Sequence, residues 1–326
     1  MRAWLGPLLE TLEQGEAAIL VHVAELEGSG PRETGAQMLV TESGIFDTIG
    51  GGELEHTATL KARELLVSGR AGLVRLALGP ELNQCCGGSV TLAFEPFAPA
   101  DLAWVKKLVA AAMGPEPAIR VLALDEPGGL RRDWLIGQDG PAYLATRTER
   151  GLEIQERLNP PVQALWLFGA GHVGRAVAKA LHPLGFALTW VDGRAGQFPE
   201  PALPGVRQLA LAMPELIVDE APAGAAFLVM THSHALDEAI CEAVLRREEF
   251  GYLGLIGSKT KRARFRRQLG ESGIAPALLA RMICPIGLTE IESKEPTAIA
   301  ASVAADMLIR RERHLLRAKG PAHHER

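Results

Sequence analysis

The sequence predicts a two-domain α/β protein, in which a small amino-terminal α+β domain precedes a Rossmann-like, doubly wound parallel sheet. Three observations carry that prediction. From residue 162 onward, short apolar runs (VQALWLF, FALTWVD, AAFLVM, GYLGLI) alternate with segments of helical period, the pattern of a parallel sheet. A G-x-G-x-x-G sequence joins the first of these runs to its helix. Before residue 98, several strand-like runs lie close together with one helix among them, which is the order of an α+β domain. A chain of 326 residues holds about two domains. The expected boundaries are 1–97 for the α+β domain, 98–160 for a connector with a helix and short strands, 161–316 for the Rossmann-like domain, and 317–326 for a disordered tail.

Taken in order, a helix is predicted over 3–14 and an apolar strand over 17–26, AAILVHVAEL. A turn-rich loop, EGSGPRETG, follows, then AQMLV and GIFDTIGGG. Residues 53–69 read as a helix because Leu54, Ala58, Ala62 and Leu65 recur at helical spacing and Gly69 suits its end. Strands over 72–78 and 89–97 flank a loop containing adjacent cysteines. The connector opens with a helix, PADLAWVKKLVAAAM, and continues through IRVLALDE, RRDWLIG and AYLATRT to a linker at NPP, 159–161.

Composition narrows the function. Hydrophobic residues make up 47% and charged residues 22%, with a formal net charge of −5. That balance argues against a general nucleic-acid or membrane-surface role. No apolar run reaches the ~20 residues that cross a bilayer. Glu10, Glu13 and Glu16 near the amino terminus, without a clean cleavage site, give no signal peptide, so a cytoplasmic protein is expected. The four cysteines, Cys85, Cys86, Cys241 and Cys284, include no C-x-x-C pair. Neighbouring Cα atoms lie ~3.8 Å apart, below the ~4.4–6.8 Å of unstrained bridges, so Cys85 and Cys86 read as reduced thiols. Cys241 and Cys284 read as core residues.

Candidate binding groups cluster in loops. Gly169 permits a tight turn, Gly171 lets a phosphate approach the backbone, and Gly174 lets the helix pack closely on the sheet. His172 stands at the helix start, and Asp192, eighteen residues past Gly174, ends the next strand where an acid can hold ribose hydroxyls. Thr231 and His232, in Met230-Thr231-His232-Ser233-His234, fall at the carboxyl edge of the sheet, where ligands gather. Ser233 or Thr231 can cap the next helix, and the H-x-H pair lacks an evident third metal ligand. Ser258 and Lys259 open another helix and make a second anion site by the same backbone argument. Six of the nine residues from 259 to 267 are basic, either a solvated face or a docking patch for an acidic partner. In the first domain, Gly28-Ser29-Gly30-Pro31-Arg32 and Gly50-Gly51-Gly52-Glu53 are glycine-rich loops that can cradle an anion or serve as tight turns. Arg32 offers a planar fork for phosphate.

Read as a set, these stretches resemble the XdhC/CoxI family, accessory proteins that mature molybdenum hydroxylases. The matching segments are GSGPRETGAQMLV (28–40), GGGELE (50–55), LGPELNQCCGGSVTL (78–92), LWLFGAGHVGRAVA (165–178) and WVDGR (190–194). Further on come MTHSHALDEAI (230–240), GYLGLIGSKTKRARF (251–265) and CPIGLTEIESKEPTAIAASVAADML (284–308). One departure follows PIGL: Thr289-Glu290-Ile291-Glu292 stands where relatives often have Asp-Ile-Gly. The resemblance implies a chaperone, without turnover of its own, for the molybdenum cofactor (molybdopterin). It implies protection of that cofactor, support of its sulfuration by a cysteine desulfurase, and delivery to xanthine dehydrogenase or a related hydroxylase. It also implies a homodimer.

The cofactor's phosphate would suit Gly169–Gly174 and Ser258–Lys259. Molybdenum and its labile sulfur favour soft donors. Cys85 or Cys86 would therefore contact the metal or hold the sulfur in transit, with Gln84 offering an amide and Gly87 a close approach. The alternative is an NAD(P)-dependent oxidoreductase built on G-x-G-x-x-G and Asp192, for which no general acid/base constellation is evident beyond His232 and His234. A metal-dependent hydrolase built on the histidines is a third reading, weakened by the incomplete ligand set.

Overall fold

A computed structural model describes residues 2–78, 88–125 and 128–318. Gln84, Cys85, Cys86 and Gly87 lie outside the described residues, as do 319–326 of the expected tail. The chain divides into two compact units, Met1–Pro161 and Val162–Arg326.

The amino-terminal unit begins with helix α1 (Leu5–Glu13) and strands β1 (Ala18–Glu27), β2 (Gln37–Thr41) and β3 (Ile45–Asp47). Helix α2 (Gly52–Ser68) and strands β4 (Gly72–Leu78) and β5 (Gly88–Phe97) follow. These strands form one antiparallel sheet in the order β3-β2-β1-β5-β4. Side chains alternate across a strand, and β1 uses both faces. Ile19, Val21 and Val23 pack under Leu54, Ala58, Ala62 and Leu65 of α2. Leu20 turns the other way, against Leu5, Leu8 and Leu12 of α1 and Val105 and Leu108 of α3 (Leu102–Met113).

The stretch read as a connector belongs to the same unit. It supplies α3 and a second antiparallel sheet of β6 (Ala118–Asp125), β7 (Gly129–Ile136), β8 (Tyr143–Thr148) and β9 (Gly151–Arg157), ordered β7-β6-β9-β8. Leu122, Leu124, Leu152 and Ile154 of this sheet pack on Ala24 and Ala93 of the first. Between the sheets lies a charged cluster from four strands: His22, Glu95, Arg120 and Glu156 are all fully buried. Arg120 donates to Glu95 at 2.6 Å and to Glu156 at 2.8 Å, and Arg132 reaches Glu95 at 2.7 Å. His22 lies 3.4 Å from Glu95, and Arg2 pairs with Glu156 at 2.9 Å.

The carboxyl-terminal unit contains β10 (Ala164–Phe168), α4 (His172–Leu181), β11 (Ala187–Asp192), β12 (Arg207–Ala210) and β13 (Ala225–Val229). After these come α5 (His234–Arg247), β14 (Phe250–Leu255), α6 (Lys259–Glu271), α7 (Pro276–Arg281), β15 (Met282–Ile283) and α8 (Pro296–Ala318). All six strands are parallel, in the order β12-β11-β10-β13-β14-β15. That is the Rossmann order, with its switch point between β10 and β13. The central strands are buried on both faces because helices cover both. Residues of α5, α6 and α7 pack on Phe168, Phe227 and Leu253. On the opposite face, α4 and α8 pack on Leu167, Trp190 and Leu228.

Candidate functional site at the carboxyl edge of the parallel sheet

The turn after β10 is shaped by what its glycines lack. Gly169 has φ +114°, a conformation strained for any side chain, and a Cβ there would strike the Met230 carbonyl at the switch point. A Cβ on Gly174 would strike the Gly169 carbonyl oxygen. Gly171 differs: it is the N-cap of α4, and a Cβ there would meet nothing within 4 Å. No side chain caps α4. Its first N–H groups and positive dipole therefore face an open space, as an anion site requires. His172 is exposed beside them.

Asp192 sits at the end of β11, buried, with its carboxylate turned into the turn. Oδ2 accepts from the Ala170 N–H at 2.7 Å and from Arg194 Nη2 at 3.1 Å. Oδ1 accepts from the Arg194 N–H at 2.9 Å and from Arg194 Nε at 3.0 Å. A carboxylate offers about four lone-pair positions, and these four bonds use them. Burial pushes the Asp192 carboxyl up, but the Arg194 side chain and the Ala170 and Arg194 amides overcome it and hold the group below its ordinary value. Asp192 thus bolts the glycine turn to β11, and a ribose hydroxyl would have to displace one of these donors.

The loop after β13 is fixed in a similar way. The Thr231 N–H and Oγ1 both donate to Asp237 Oδ1, at 2.9 and 2.7 Å. Lys261 of α6 reaches Asp237 Oδ2 at 2.6 Å and the Ile256 carbonyl at 2.9 Å, tying two loops of the edge together. His232 is exposed, and His234 lies 3.0 Å from Arg264. Ser233 and Ser258 cap α5 and α6 by accepting from Leu236 and Lys261. Ser258's acceptor is thus engaged in its own helix, and Lys259 is exposed next to it. Burial pushes both the Cys241 and Cys284 thiols up, which suits core residues. Among the described residues no group of three or more His, Cys, Asp or Glu is placed to hold a metal.

In the amino-terminal unit the glycine-rich loops meet. A Cβ on Gly50 would collide with Pro31, and one on Gly88 with the Glu27 and Ser29 carbonyls. The second loop holds an internal anion. Glu55 Oε2 accepts from the Ile49 and Gly51 N–H groups at 3.1 and 3.2 Å, and also from Thr48 Oγ1. Arg32 donates to the Thr48 carbonyl at 3.2 Å and to Glu33 at 3.4 Å. The cysteine-bearing connection runs from Leu78 to Gly88, which are register partners at the ends of β4 and β5.

The sequence reading brought together the glycine turn, Thr231 and Ser258 on one sheet edge, and the structure places them there. It missed Arg194, Asp237 and Lys261 as the residues that hold this edge rigid. The short spacing of Asp192 and Arg194 was the available signal for the first.

A Rossmann unit with an uncapped, glycine-opened helix end, joined to a two-sheet α+β unit, defines the class. Two family models match the chain: the XdhC Rossmann domain over residues 165–307, and the XdhC and CoxI family over 11–77. The chain belongs to the XdhC/CoxI family. It is 25% identical over 308 residues to the molybdenum cofactor insertion chaperone PaoD of Escherichia coli (strain K12), covering 92% of this chain and 85% of that one. It is 25% identical over 329 residues to a Bacillus subtilis (strain 168) protein named as a probable xanthine dehydrogenase subunit, covering 93% and 96%. A Bacillus halodurans crystal structure described as a xanthine dehydrogenase shares the fold, with TM-score 0.77 at 22% identity over 98% of this chain and 97% of that one.

Proposed function

We propose that this protein binds the molybdenum cofactor as cargo, shields it, and delivers it to a hydroxylase of the xanthine dehydrogenase type. The observation that carries the reading is the near full-length similarity to a relative named as a molybdenum cofactor insertion chaperone. The open α4 N-terminus at Gly171 supports it, since a pterin phosphate fits uncapped N–H donors. His172, Thr231, His232, Ser258 and Lys259 line the same edge and offer polar contacts. The NAD(P) reading loses ground at Asp192, whose acceptor positions are taken by Ala170 and Arg194.

Cys85 or Cys86, with Gln84 and Gly87, contacts the metal or carries its sulfur, because the described thiols Cys241 and Cys284 are buried and pushed towards the neutral form. A cysteine desulfurase that installs the terminal sulfur is the second partner. Arg32 contributes positive charge at the loops that flank the cysteine connection. The protein acts in the cytoplasm and turns nothing over itself.

The test is elemental and pterin analysis of protein purified from a host that makes molybdenum cofactor. Pterin fluorescence with stoichiometric molybdenum is expected. Protein that carries neither, yet binds NAD(P)H tightly and transfers hydride, overturns the reading. Cys85→Ser and Cys86→Ser variants then test the thiols: molybdenum retained undiminished in both ends their assigned role.

A further inference from the structure

The two peptides that lead into α4 are each held by a side chain. A trans peptide is planar, with its carbonyl and its N–H pointing in opposite directions, so fixing one aims the other. In the first peptide, Trp190 Nε1 donates to the Gly169 carbonyl at 2.9 Å, and the opposite group, the Ala170 N–H, is turned onto Asp192 Oδ2 at 2.7 Å. In the second, Arg175 Nε donates to the Ala170 carbonyl at 3.0 Å. The opposite group there is the N–H of Gly171, the N-cap of α4, where a Cβ would meet nothing within 4 Å. Trp190 thus aims one amide at Asp192, and Arg175 aims the next at the open space.

Arg175 has a second hold. Its Nε also donates to the Gln197 carbonyl at 2.8 Å, and its Nη2 to Gln197 Oε1 at 3.2 Å. The Gln197 N–H donates to the Arg194 carbonyl at 3.1 Å, and Arg194 holds Asp192, which accepts the Ala170 N–H. These bonds close a ring that runs through Ala170, Asp192, Arg194, Gln197 and Arg175, and Arg175 is the link that returns it to the glycine turn. The acceptors of Arg175 are neutral oxygens, and no carboxylate pairs with it among the described residues. The first turn of α4 carries no acid either. A half-buried cation one turn from a helix N-terminus adds to the positive end of the dipole, a charge that a bound anion would balance.

We infer that Arg175 is a positioning residue of the cargo site, turning the Gly171 N–H towards the bound phosphate. The inference rests on the reading above that this helix end receives the cofactor's phosphate. Without Arg175 the 170–171 peptide loses the bond that fixes its plane, and its carbonyl is free to turn towards the anion. Losing one donor to a charged group weakens binding by about tenfold or more.

Three variants separate the contributions: Arg175→Met removes donor and charge, Arg175→Gln returns an amide donor without charge, and Arg175→Lys returns both. The full chain is purified from a host that makes molybdenum cofactor, thermal unfolding is recorded, and molybdenum loss on dialysis is timed. Arg175→Met should release molybdenum about tenfold faster or more than wild type, with Arg175→Lys and Arg175→Gln within about threefold. In a parallel titration of the 15N-labelled protein with inorganic phosphate, the Gly171 amide resonance should shift in wild type and Arg175→Gln, and stay in place in Arg175→Met. Wild-type protein without molybdenum overturns the cargo reading and this inference together. Loaded wild type beside an equally slow Arg175→Met, or Gln and Lys variants as depleted as Met, overturns this inference alone. A Gly171 amide unmoved by phosphate in wild type overturns it even where Arg175→Met fails to fold.

Discussion

At Gly174 and Gly171 the same residue type does opposite work. Gly174 touches the Gly169 carbonyl, so Gly174→Ala forces helix and turn apart and costs about 1–3 kcal/mol in urea unfolding. Gly171 faces open space, so Gly171→Ala changes stability within about 1 kcal/mol through its N-cap position. It fills the space offered to a phosphate, and the expected loss is in pterin retained on purification. Equal loss of stability in both variants would remove the distinction. Asp192→Asn replaces an acceptor with a donor facing Arg194 and the Ala170 N–H, an expected loss of about 1–3 kcal/mol by the same measurement. Gly169 and Gly174 were legible in the sequence because the backbone leaves no room for a side chain there. The saturation of Asp192 was not, since an acid that holds a ribose and an acid that braces a turn read alike.

At the scale of elements, the buried cluster between β1, β5, β6 and β9 decides how the amino-terminal unit holds together. Removing Arg120 leaves Glu95 and Glu156 charged and buried, so Arg120→Met is expected to cost about 3–5 kcal/mol. Burial by itself would push the Glu95 carboxyl up, but the Arg120 charge, the His22 hydrogen bond and Arg132 hold it well below the carboxylate range. Glu156 is lowered likewise, against burial, by Arg120 and Arg2. Because both values are depressed, their stabilisation is fully present above the ordinary carboxylate pKa of about 4.3 and is lost as pH falls below it towards the folded-state values. Urea midpoints should be level through neutral pH and drop below about pH 4; a stability that rises on acidification contradicts the cluster's role.

None of this cluster was legible. His22, Glu95 and Arg120 are each set inside an apolar run (ILVHVAEL, LAFEPF, AIRVLALD), Glu156 lies in the mixed stretch LEIQER, and only the pairing of strands distant in sequence brings them together. For the same reason β9 passed unread. Its inward row is Leu152, Ile154 and Glu156, and the buried acid breaks the apolar alternation that marks a strand. The short, polar β12 (RQLA) escaped likewise.

For the whole molecule, the two-part architecture followed from the change of pattern near residue 161, and the compact units divide at Pro161. What the pattern could not reveal was that residues 98–160 form a second sheet sharing a core with the first, because their strands are polar on the outward face. The edge of the parallel sheet sets an expectation for the molecule's ligands. With Asp192 engaged, NADH should bind no tighter than the millimolar range, while molybdopterin should co-purify. Titration by intrinsic tryptophan fluorescence checks the first part, and micromolar NADH binding would return the oxidoreductase reading to the front.

The pairing of α4 with α8 has a bearing on how the protein is made. Val177, Ala178 and Leu181 of the helix behind the glycine turn share one core with Ala300, Val303, Ala304 and Met307, and Arg311 donates to the Leu184 carbonyl at 2.5 Å. On the ribosome, the turn and its helix emerge long before the segment that covers them. The helix behind the turn therefore gains its cover from α8 only late in synthesis, after the parallel strands it also packs on have been made.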